Sequence, residues 1–312
     1  MTKLKPIKEK IRRLIKDLES NNIIFDMNTA ELTSVKTGGK VLCYLVADTM
    51  KDLKKIVKIC SDNQIDFMMI GDGTNILFND KHLDLVLIKL GKDFKYIDFS
   101  GRDQINAGAA CRLFKMVVSA ADRGYDFSEL SGIPGTIGGG IAGNCGPRHK
   151  GVCDFIKEIS YISNEDGNIR EKTRILDSDD FGYRHFHIPD LTILTQVVFK
   201  AVNRSKRDDV LKKIRDRIKD RKKVQPVNTR NAGCFFKNIL GCSESSGELI
   251  EKCGLKGFAY GGARVSDKHA NFIENFDNAS SEDIFVLSNI IKDMVMDKFK
   301  VKLEYEVKTI GF

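Results

Sequence analysis

The sequence predicts a protein of mixed helices and strands that forms one large domain or two to three ordinary ones. Its 312 residues exceed the size of an ordinary single domain, and the 42% that are apolar can fill sizeable hydrophobic cores. Apolar runs typical of buried strands alternate with runs of helical periodicity from residue 41 onward. Two glycine-rich segments, residues 71–75 and 131–146, follow apolar or helical runs and mark sites of unusual backbone conformation.

The first part of the chain reads as the opening of an α/β unit. Residues 41–48 (VLCYLVAD) form an almost continuous apolar run, which is typical of a buried strand. In the next segment Leu53, Ile56 and Val57 recur at helical spacing. The predicted strands are residues 41–48, 66–70, 83–89 and 104–107, and the predicted helices are residues 49–63 and 112–123.

The remainder continues the mixed pattern and ends in a predicted strand. A basic helix over residues 206–222 links the middle of the chain to its last third. The predicted strands there are residues 157–163, 191–201, 233–236, 271–275 and 302–311, and the predicted helices are residues 246–253 and 280–299.

The net charge of +8 is concentrated in two segments, since residues 1–17 carry +5 and residues 203–223 carry +7. Both segments have apolar stripes at helical spacing, so they are interpreted as amphipathic helices with solvated basic faces. Attraction of an anionic ligand is the alternative. Nucleic-acid binding is not predicted, because aromatic or polar readout residues do not accompany the charge.

No apolar stretch is long enough to cross a membrane, and the charged N-terminus lacks a secretory apolar segment, so a cytoplasmic protein is predicted. The eight cysteines contain no C-x-x-C pair, and most are interpreted as small buried hydrophobes. Cys145, His149 and Cys153 are spaced four apart, but Gly146 and Pro147 break any helix between them. No metal site is predicted.

Both glycine-rich segments could approach a phosphate. In GDGTN, comprising Gly71, Asp72, Gly73, Thr74 and Asn75, the backbone amides and two polar side chains offer donors, although a plain turn is an equally good interpretation. The second segment is SGIPGTIGGGIAGN. Two such segments suit an extended cofactor with a diphosphate, and the alternative for the second is a structural loop.

Three further motifs carry reactive side chains. FGYRH contains Arg184, whose guanidinium suits a carboxylate or an enolate, although a surface Tyr-Arg pair is the commoner case. NAGCFFKN contains Cys234, a nucleophile, a proton donor or a packing residue. LEYEVKTIG contains Glu304 and Glu306, which strand alternation places on the same side, so the residues alone do not choose between them.

Six motifs occur in one order: GDGTNILFND, LSGIPGTIGGGIAGN, FGYRH, NAGCFFKN, GLKGFAYGGARVSDKHANFIEN and LEYEVKTIG. Together they closely resemble the UDP-N-acetylenolpyruvoylglucosamine reductases, the MurB family of flavoenzymes. The resemblance runs from about residue 33 to residue 311. Each motif is modest alone, and the shared order makes the resemblance specific.

The resemblance implies an α+β, FAD-binding fold of the vanillyl-alcohol-oxidase (PCMH) type in two subdomains, plus a C-terminal α+β substrate domain. The implied division is residues 1–90, 91–202 and 203–312, with the last strand, about residues 302–312, returning to the first subdomain. The short segment between Arg184 and Asn231 is similar to the branch of the family that lacks a long Tyr loop.

The resemblance also implies site residues. Arg184, Cys234 and Glu306 match the catalytic positions, with Cys234 where the family usually has a proton-donating Ser. Tyr183, Lys237 and Asn238 are assigned to the substrate, with Asn238 matching a diphosphate contact of the family. Lys237 and the basic residues near 219–223 are substitutes for missing diphosphate partners. The implied cofactor contacts are Gly71, Asp72, Gly73, Thr74, Asn75, Ile133, Pro134, Gly135, Thr136, Gly138 and Gly139.

The implied activity is the reduction of an enolpyruvyl ether on a UDP-sugar during synthesis of peptidoglycan precursors for the cell wall. The implied cofactors are non-covalent FAD and NADPH as hydride donor, in a monomer that neither inserts into membranes nor binds nucleic acid. Two departures fall at Ile239, where Pro is common, and in NCGPRHKG, where small residues are usual. The alternatives are a same-fold FAD oxidase or dehydrogenase on another substrate, or a non-catalytic basic binding protein.

Overall fold

A computed structural model describes residues 8–9, 11–12, 23–101, 104–147, 149–165, 167–200 and 204–312. The helix predicted near the N-terminus falls largely outside these residues. The described chain divides into two compact units. Unit 1 contains residues 1–27, 42–71 and 84–219, and unit 2 contains residues 28–41, 72–83 and 220–312. The three-domain division inferred from the family resemblance stays a prediction.

The strands, in chain order, are β1 Ile23–Asn28, β2 Lys40–Ala47, β3 Phe67–Met69, β4 Ile76–Phe78, β5 Leu83–Leu90, β6 Ile97–Asp98, β7 Gln104–Gly108, β8 Ile156–Glu165, β9 Asn168–Ile175, β10 Phe181–Gly182, β11 His185–Phe186, β12 Leu191–Lys200, β13 Asn231–Cys234, β14 Ala259–Tyr260, β15 Ala263–Val265, β16 Phe272–Asn275 and β17 Lys308–Ile310. The α-helices are α1 Met50–Asp62, α2 Leu113–Ala121, α3 Ile137–Ala142, α4 Arg207–Val224, α5 Ser246–Lys252 and α6 Ser281–Phe299.

Unit 1 contains two sheets. The first has the strand order β1-β2-β5-β3, in which β3 runs parallel to β5. Helix α1 begins after Thr49, whose hydroxyl accepts the amide of Asp52 at 3.1 Å. It buries the apolar face that its periodicity predicts, including Leu53 and Val57, in the core of this half of the unit.

The second sheet of unit 1 is antiparallel with the order β6-β7-β12-β8-β9. Its core contains Phe127, Phe155 and Phe199, whose rings meet at centroid distances of 5.5 and 5.7 Å. Helix α4 contributes Val210 and Ile214 to the same core and leaves its basic residues exposed, except for the half-buried Arg221. The interpretation of this basic run as an amphipathic helix is therefore confirmed.

Unit 2 contains the antiparallel sheet β13-β16-β15-β14 and a separate parallel pair, β17 with β4. Helix α6 starts at Ser280, which forms a capping box with Asp283, and buries Ile284, Leu287 and Ile291. The core of the unit also holds Phe235, Phe236 and the apolar face of α5.

The prediction of a C-terminal strand over residues 302–311 is wrong in its extent. Only Lys308–Ile310 is regular strand, whereas Glu304 lies in irregular backbone and Glu306 in a bend. The short ladder ends there because Tyr305 forms a single bridge with Phe236 instead of continuing the pairing with β4. Side-chain alternation therefore does not relate Glu304 to Glu306. The other helices and strands predicted for described residues are confirmed within a few residues of their ends.

Candidate active site

In unit 1 the start of GDGTN meets the second glycine-rich segment. A Cβ atom placed on Gly71 would lie 2.6 Å from the hydroxyl oxygen of Thr136, which is closer than real Cβ contacts come. Glycine at position 71 is therefore needed for this approach. The structure thus brings together two segments that are more than sixty residues apart and that the sequence assigns to one cofactor.

The second segment is held by backbone pairing with residues 109–113. The amides of Ile137 and Gly138 donate to the carbonyls of Cys111 and Ala109 at 2.8 and 2.9 Å. The hydroxyl of Thr136 accepts the amide of Gly139 at 3.2 Å and caps helix α3. These three amides already donate within the protein. The segment would therefore contact a ligand through its shape and its other polar groups.

Arg184 lies on a tight hairpin in unit 1. Gly182 pairs with His185, which leaves Tyr183 and Arg184 as the two turn residues. The guanidinium donates to the carbonyls of Asn144 at 3.3 Å and Gly146 at 3.0 Å, and its carbon lies 5.1 Å from the centre of the Tyr183 ring. The catalytic candidate is therefore anchored on the chain just beyond α3, in the segment where the sequence departs from the family pattern.

In unit 2 the remainder of GDGTN contacts the C-terminal segment. The side-chain amide of Asn75 donates to the carbonyl of Glu306 at 3.1 Å, and the carbonyl of Asn75 accepts the amide of Lys308 at 3.1 Å. Ser34 connects the same loop to β13, because its amide donates to the carbonyl of Gly73 at 3.0 Å and its hydroxyl to the carbonyl of Asn231 at 2.6 Å.

Cys234 is the last residue of β13, and the next residue, Phe235, is hydrogen-bonded to Glu306. The carbonyl of Phe235 accepts the amide of Glu306 at 2.9 Å. Before the cysteine, Gly233 takes a left-handed φ of +83°, and its amide donates to the side chain of Asn231 at 2.9 Å. The structure therefore brings together the two candidates Cys234 and Glu306 inside one unit, half-buried rather than enclosed in the core.

Cys234 is less buried than the four cysteines that pack in the cores. Desolvation raises the pKa of Cys43 and of Cys60 to about 12, and it also raises the pKa of Cys111 and Cys153. All four are buried, which confirms that these cysteines behave as small hydrophobes. None of the eight cysteines, all of which lie in described segments, forms a disulfide.

The two substrate candidates that follow Cys234 also lie in unit 2. The side-chain oxygen of Asn238 accepts the amide of Ser246 at 3.0 Å at the start of α5. The amide of Lys237 donates to the carbonyl of Glu304 at 2.8 Å, and its ammonium lies 3.9 Å from the Glu304 carboxylate. Glu304 thus faces Lys237 and solvent, which separates its position from that of Glu306.

Two other basic side chains of unit 2, Lys268 and Arg264, have partners within the protein. Lys268 donates to the carbonyl of Lys222 at 2.6 Å, near the end of the basic helix. Arg264 pairs with the buried carboxylate of Glu274 at 3.2 Å. Contribution of the basic residues near 219–223 to a diphosphate site stays a prediction.

The residues present fit a flavin cofactor. Gly73 is buried, yet its amide donates to no residue that the structure describes, so it is a buried donor suited to an anionic group. Gly73 also takes a left-handed φ of +61°, and a Cβ there would lie 2.0 Å from the carbonyl oxygen of Leu32. Within the described ranges no cluster of three or more His, Cys, Asp or Glu side chains has a geometry suited to a metal.

Two residues of these sites were missed by the sequence analysis. Ser34 and Asn144 contact segments that are distant in the chain. Ser34 stands in no quoted motif, and Asn144 is the last residue of SGIPGTIGGGIAGN, where the sequence analysis gave it no role. A weak signal exists for Asn144, since asparagine just after a short helix is tolerated in left-handed backbone.

Comparison with known proteins identifies the family of this chain. Residues 225–310 match the family described as UDP-N-acetylenolpyruvoylglucosamine reductase, C-terminal domain, and residues 41–172 match the FAD binding domain family. UDP-N-acetylenolpyruvoylglucosamine reductase of Alkaliphilus oremlandii is 33% identical over 100% of this chain and 99% of its own. The chain belongs to this family.

Two further reductases of this family are also similar to the chain. The reductase of Rickettsia typhi is 35% identical over 92% of this chain and 95% of its own. The crystal structure of the MurB reductase from Thermus caldophilus superposes with a TM-score of 0.75 at 27% identity, covering 93% of this chain and 98% of that one. The protein is accordingly an FAD-dependent oxidoreductase with the expected α+β FAD-binding fold. No helix among the described residues has the length and apolar character that a membrane span requires.

Proposed function

We propose that this member of the reductase family uses NADPH to reduce the enolpyruvyl ether of its UDP-sugar substrate to the lactyl ether, a step in peptidoglycan precursor synthesis. The observation that carries the proposal is the hydrogen bond from the Glu306 amide to the Phe235 carbonyl. This backbone contact joins Glu306 to the residue after Cys234, and both candidates are half-buried in the unit that matches the reductase C-terminal domain.

The cofactor is held by Gly71, Asp72, Gly73, Thr74 and Asn75 together with residues 133–139. The support is the close approach of Gly71 to Thr136 and the available amide of Gly73. The chemistry that bound FAD would supply is hydride transfer from NADPH to the outer carbon of the substrate double bond.

Side chains of the protein stabilise the negative charge that develops on the substrate and supply the proton. Negative charge develops on the inner carbon and spreads into the substrate carboxylate, where the Arg184 guanidinium stabilises it with a fixed positive charge. Cys234 then donates its proton to that carbon. A thiol has a pKa of about 8.5, so it is protonated near neutral pH and is still a far stronger acid than a serine hydroxyl. The thiolate regains a proton from water, and Glu306 orients the reacting groups.

We also propose that the protein acts as a monomer in the cytoplasm. Its eight thiols, none in a disulfide, suit a reducing compartment. Gel filtration of the purified protein at several concentrations tests the monomer, and a concentration-dependent shift to twice the mass would contradict it.

The test of the chemistry separates the two half-reactions by rapid mixing without oxygen. Cys234→Ala should leave flavin reduction by NADPH unchanged and slow flavin reoxidation by the enolpyruvyl UDP-sugar by about 10²-fold or more, because the inner carbon loses its proton donor. Cys234→Ser should retain substantial activity. The matched control is Cys242→Ala, a half-exposed cysteine of the same unit, which should behave as wild type.

Unchanged reoxidation in Cys234→Ala would show that the thiol is not the proton donor. A purified protein without bound flavin, or NADPH oxidation that does not depend on the enolpyruvyl UDP-sugar, would contradict the proposed reaction as a whole.

A further inference from the structure

Arg184 is held in an unfavourable backbone conformation. Its φ is +51°, in the left-handed region, where a residue with a side chain carries a cost of about 1–2 kcal/mol. The hairpin formed by β10 and β11 is only two residue pairs long. Such a conformation persists only when the surrounding structure determines it, so the contacts of this hairpin must fix the turn.

The guanidinium of Arg184 is anchored on one short stretch of backbone. Its two nitrogen donors reach the carbonyls of Asn144 and Gly146 at 3.3 and 3.0 Å. Both acceptors belong to the chain directly after α3. A shift of this stretch would therefore move the charged end of Arg184 with it.

The side chain of Asn144 fixes this stretch against the hairpin. Its Nδ2 donates to the carbonyl of Gly182 at 2.7 Å, and its Oδ1 accepts the amide of Cys153 at 3.0 Å. Only 4% of Asn144 is exposed. A single buried amide thus joins the end of α3, the strand that precedes Arg184, and the turn at Cys153.

Asparagine is the residue type that these contacts require. Its φ is +38°, a conformation that asparagine tolerates better than most residues. The side chain faces a carbonyl on one side and an N–H on the other, and an amide supplies a donor and an acceptor on two separate atoms at its end. The space is closed as well, since a Cβ on Gly151 would lie 2.0 Å from Asn144 Oδ1.

We propose that Asn144 is a positioning residue for the reaction, which sets the location of the Arg184 guanidinium through both its carbonyl and its side chain. This inference rests on the proposed function, because it gives Asn144 a catalytic effect only through the action of Arg184 on the substrate carboxylate. A displacement of about 1 Å in a catalytic group can reduce the rate by about 10²-fold.

The experiment uses Asn144→Gly and Asn144→Asp in the FAD-loaded enzyme. Glycine accepts the left-handed backbone and removes the side chain, whereas aspartate keeps an acceptor for Cys153 and faces the Gly182 carbonyl with a negative charge. Both should slow flavin reoxidation by the enolpyruvyl UDP-sugar about 10- to 100-fold and raise its KM. Flavin reduction by NADPH and flavin content should stay within about twofold of wild type, since the proposed effect of Asn144 on the reaction runs through Arg184.

Two further variants identify the route of the effect. Arg184→Lys gives the loss caused by the guanidinium itself, and the double variant Asn144→Gly/Arg184→Lys should be no slower than Arg184→Lys alone. Asn164→Ala is the matched control, because this asparagine of unit 1 donates to the Ser61 hydroxyl at 3.1 Å, whereas Arg184 is anchored on Asn144 and Gly146. It should retain both half-reactions.

Three results would overturn the inference. Wild-type reoxidation in both Asn144 variants would show that the amide does not act on catalysis. Equal loss of both half-reactions and of flavin would mean a purely structural role. Additive losses in the double variant would mean that Asn144 acts by another route. If Arg184→Lys alone leaves reoxidation unchanged, the role of Arg184 in the proposed function is wrong as well. The three results above, by contrast, contradict only the role of Asn144.

Discussion

The contact between Gly71 and Thr136 makes the proposed cofactor site sensitive to a single methyl group. In Gly71→Ala the new Cβ would lie 2.6 Å from the Thr136 hydroxyl oxygen, whereas ordinary contacts begin near 3.4 Å. The hydroxyl must therefore move by about 0.8 Å or rotate away. Either movement breaks its hydrogen bond with the Gly139 amide, the cap of α3.

The free energy of this change follows from the same contacts. Loss of an N-cap costs about 1 kcal/mol, and Thr136 is only 6% exposed, so a displaced hydroxyl stays buried at a further cost of about 1 kcal/mol. The total of about 2 kcal/mol corresponds to a factor of about 30 in an equilibrium constant. We expect the dissociation constant for FAD to rise by up to this factor, with the remainder appearing as a lower melting temperature of the FAD-free protein.

The assay is titration of the FAD-free protein with FAD, followed by flavin fluorescence, with thermal unfolding measured in parallel. Gly143→Ala is the control, because a Cβ at that position meets no atom within 4 Å. Thr136→Ala should cost about 1 kcal/mol alone but little in the Gly71→Ala background, where the cap is already lost. Wild-type FAD affinity and melting temperature in Gly71→Ala, or an equal loss in Gly143→Ala, would refute the reasoning.

Three further predictions concern unit 2. Gly73→Ala should abolish FAD binding or folding, since a Cβ there meets the Leu32 carbonyl oxygen at 2.0 Å; retention of flavin would contradict the role of this loop. Ser280→Ala should lower the free energy of unfolding by about 1 kcal/mol by removing the cap of α6, as measured by urea denaturation against the exposed control Ser205→Ala. Burial and then Lys256 lower the pKa of His269 below its ordinary value of 6.5, so the unfolded chain takes up the proton first, and stability should fall as the pH drops below about 6.5. His269→Gln should reduce that slope between about pH 7 and pH 5; an unchanged slope would show that His269 does not contribute to it.

The sequence determined the elements whose signals are local. Helix α1 follows from the spacing of its apolar residues, and α6 from its apolar residues and capping sequence, because a regular helix repeats every 3.6 residues. The glycine-rich segments marked tight loops, and the burial of Cys43 and Cys60 agreed with their apolar surroundings. The ordered motifs then identified the family, since their combination is far more specific than any one of them.

Only the tertiary structure decided how these pieces meet. The amide of Asn144 reaches a carbonyl 38 positions away, and the hydroxyl of Ser34 reaches one 197 positions away, so no local pattern predicts either contact. The bend at Glu306 likewise depends on pairing with Phe235 and Phe236, which ends the strand that alternation predicted. Periodicity reports how one segment repeats, whereas a site depends on which distant segments satisfy each other's backbone groups, and that is settled when the chain packs.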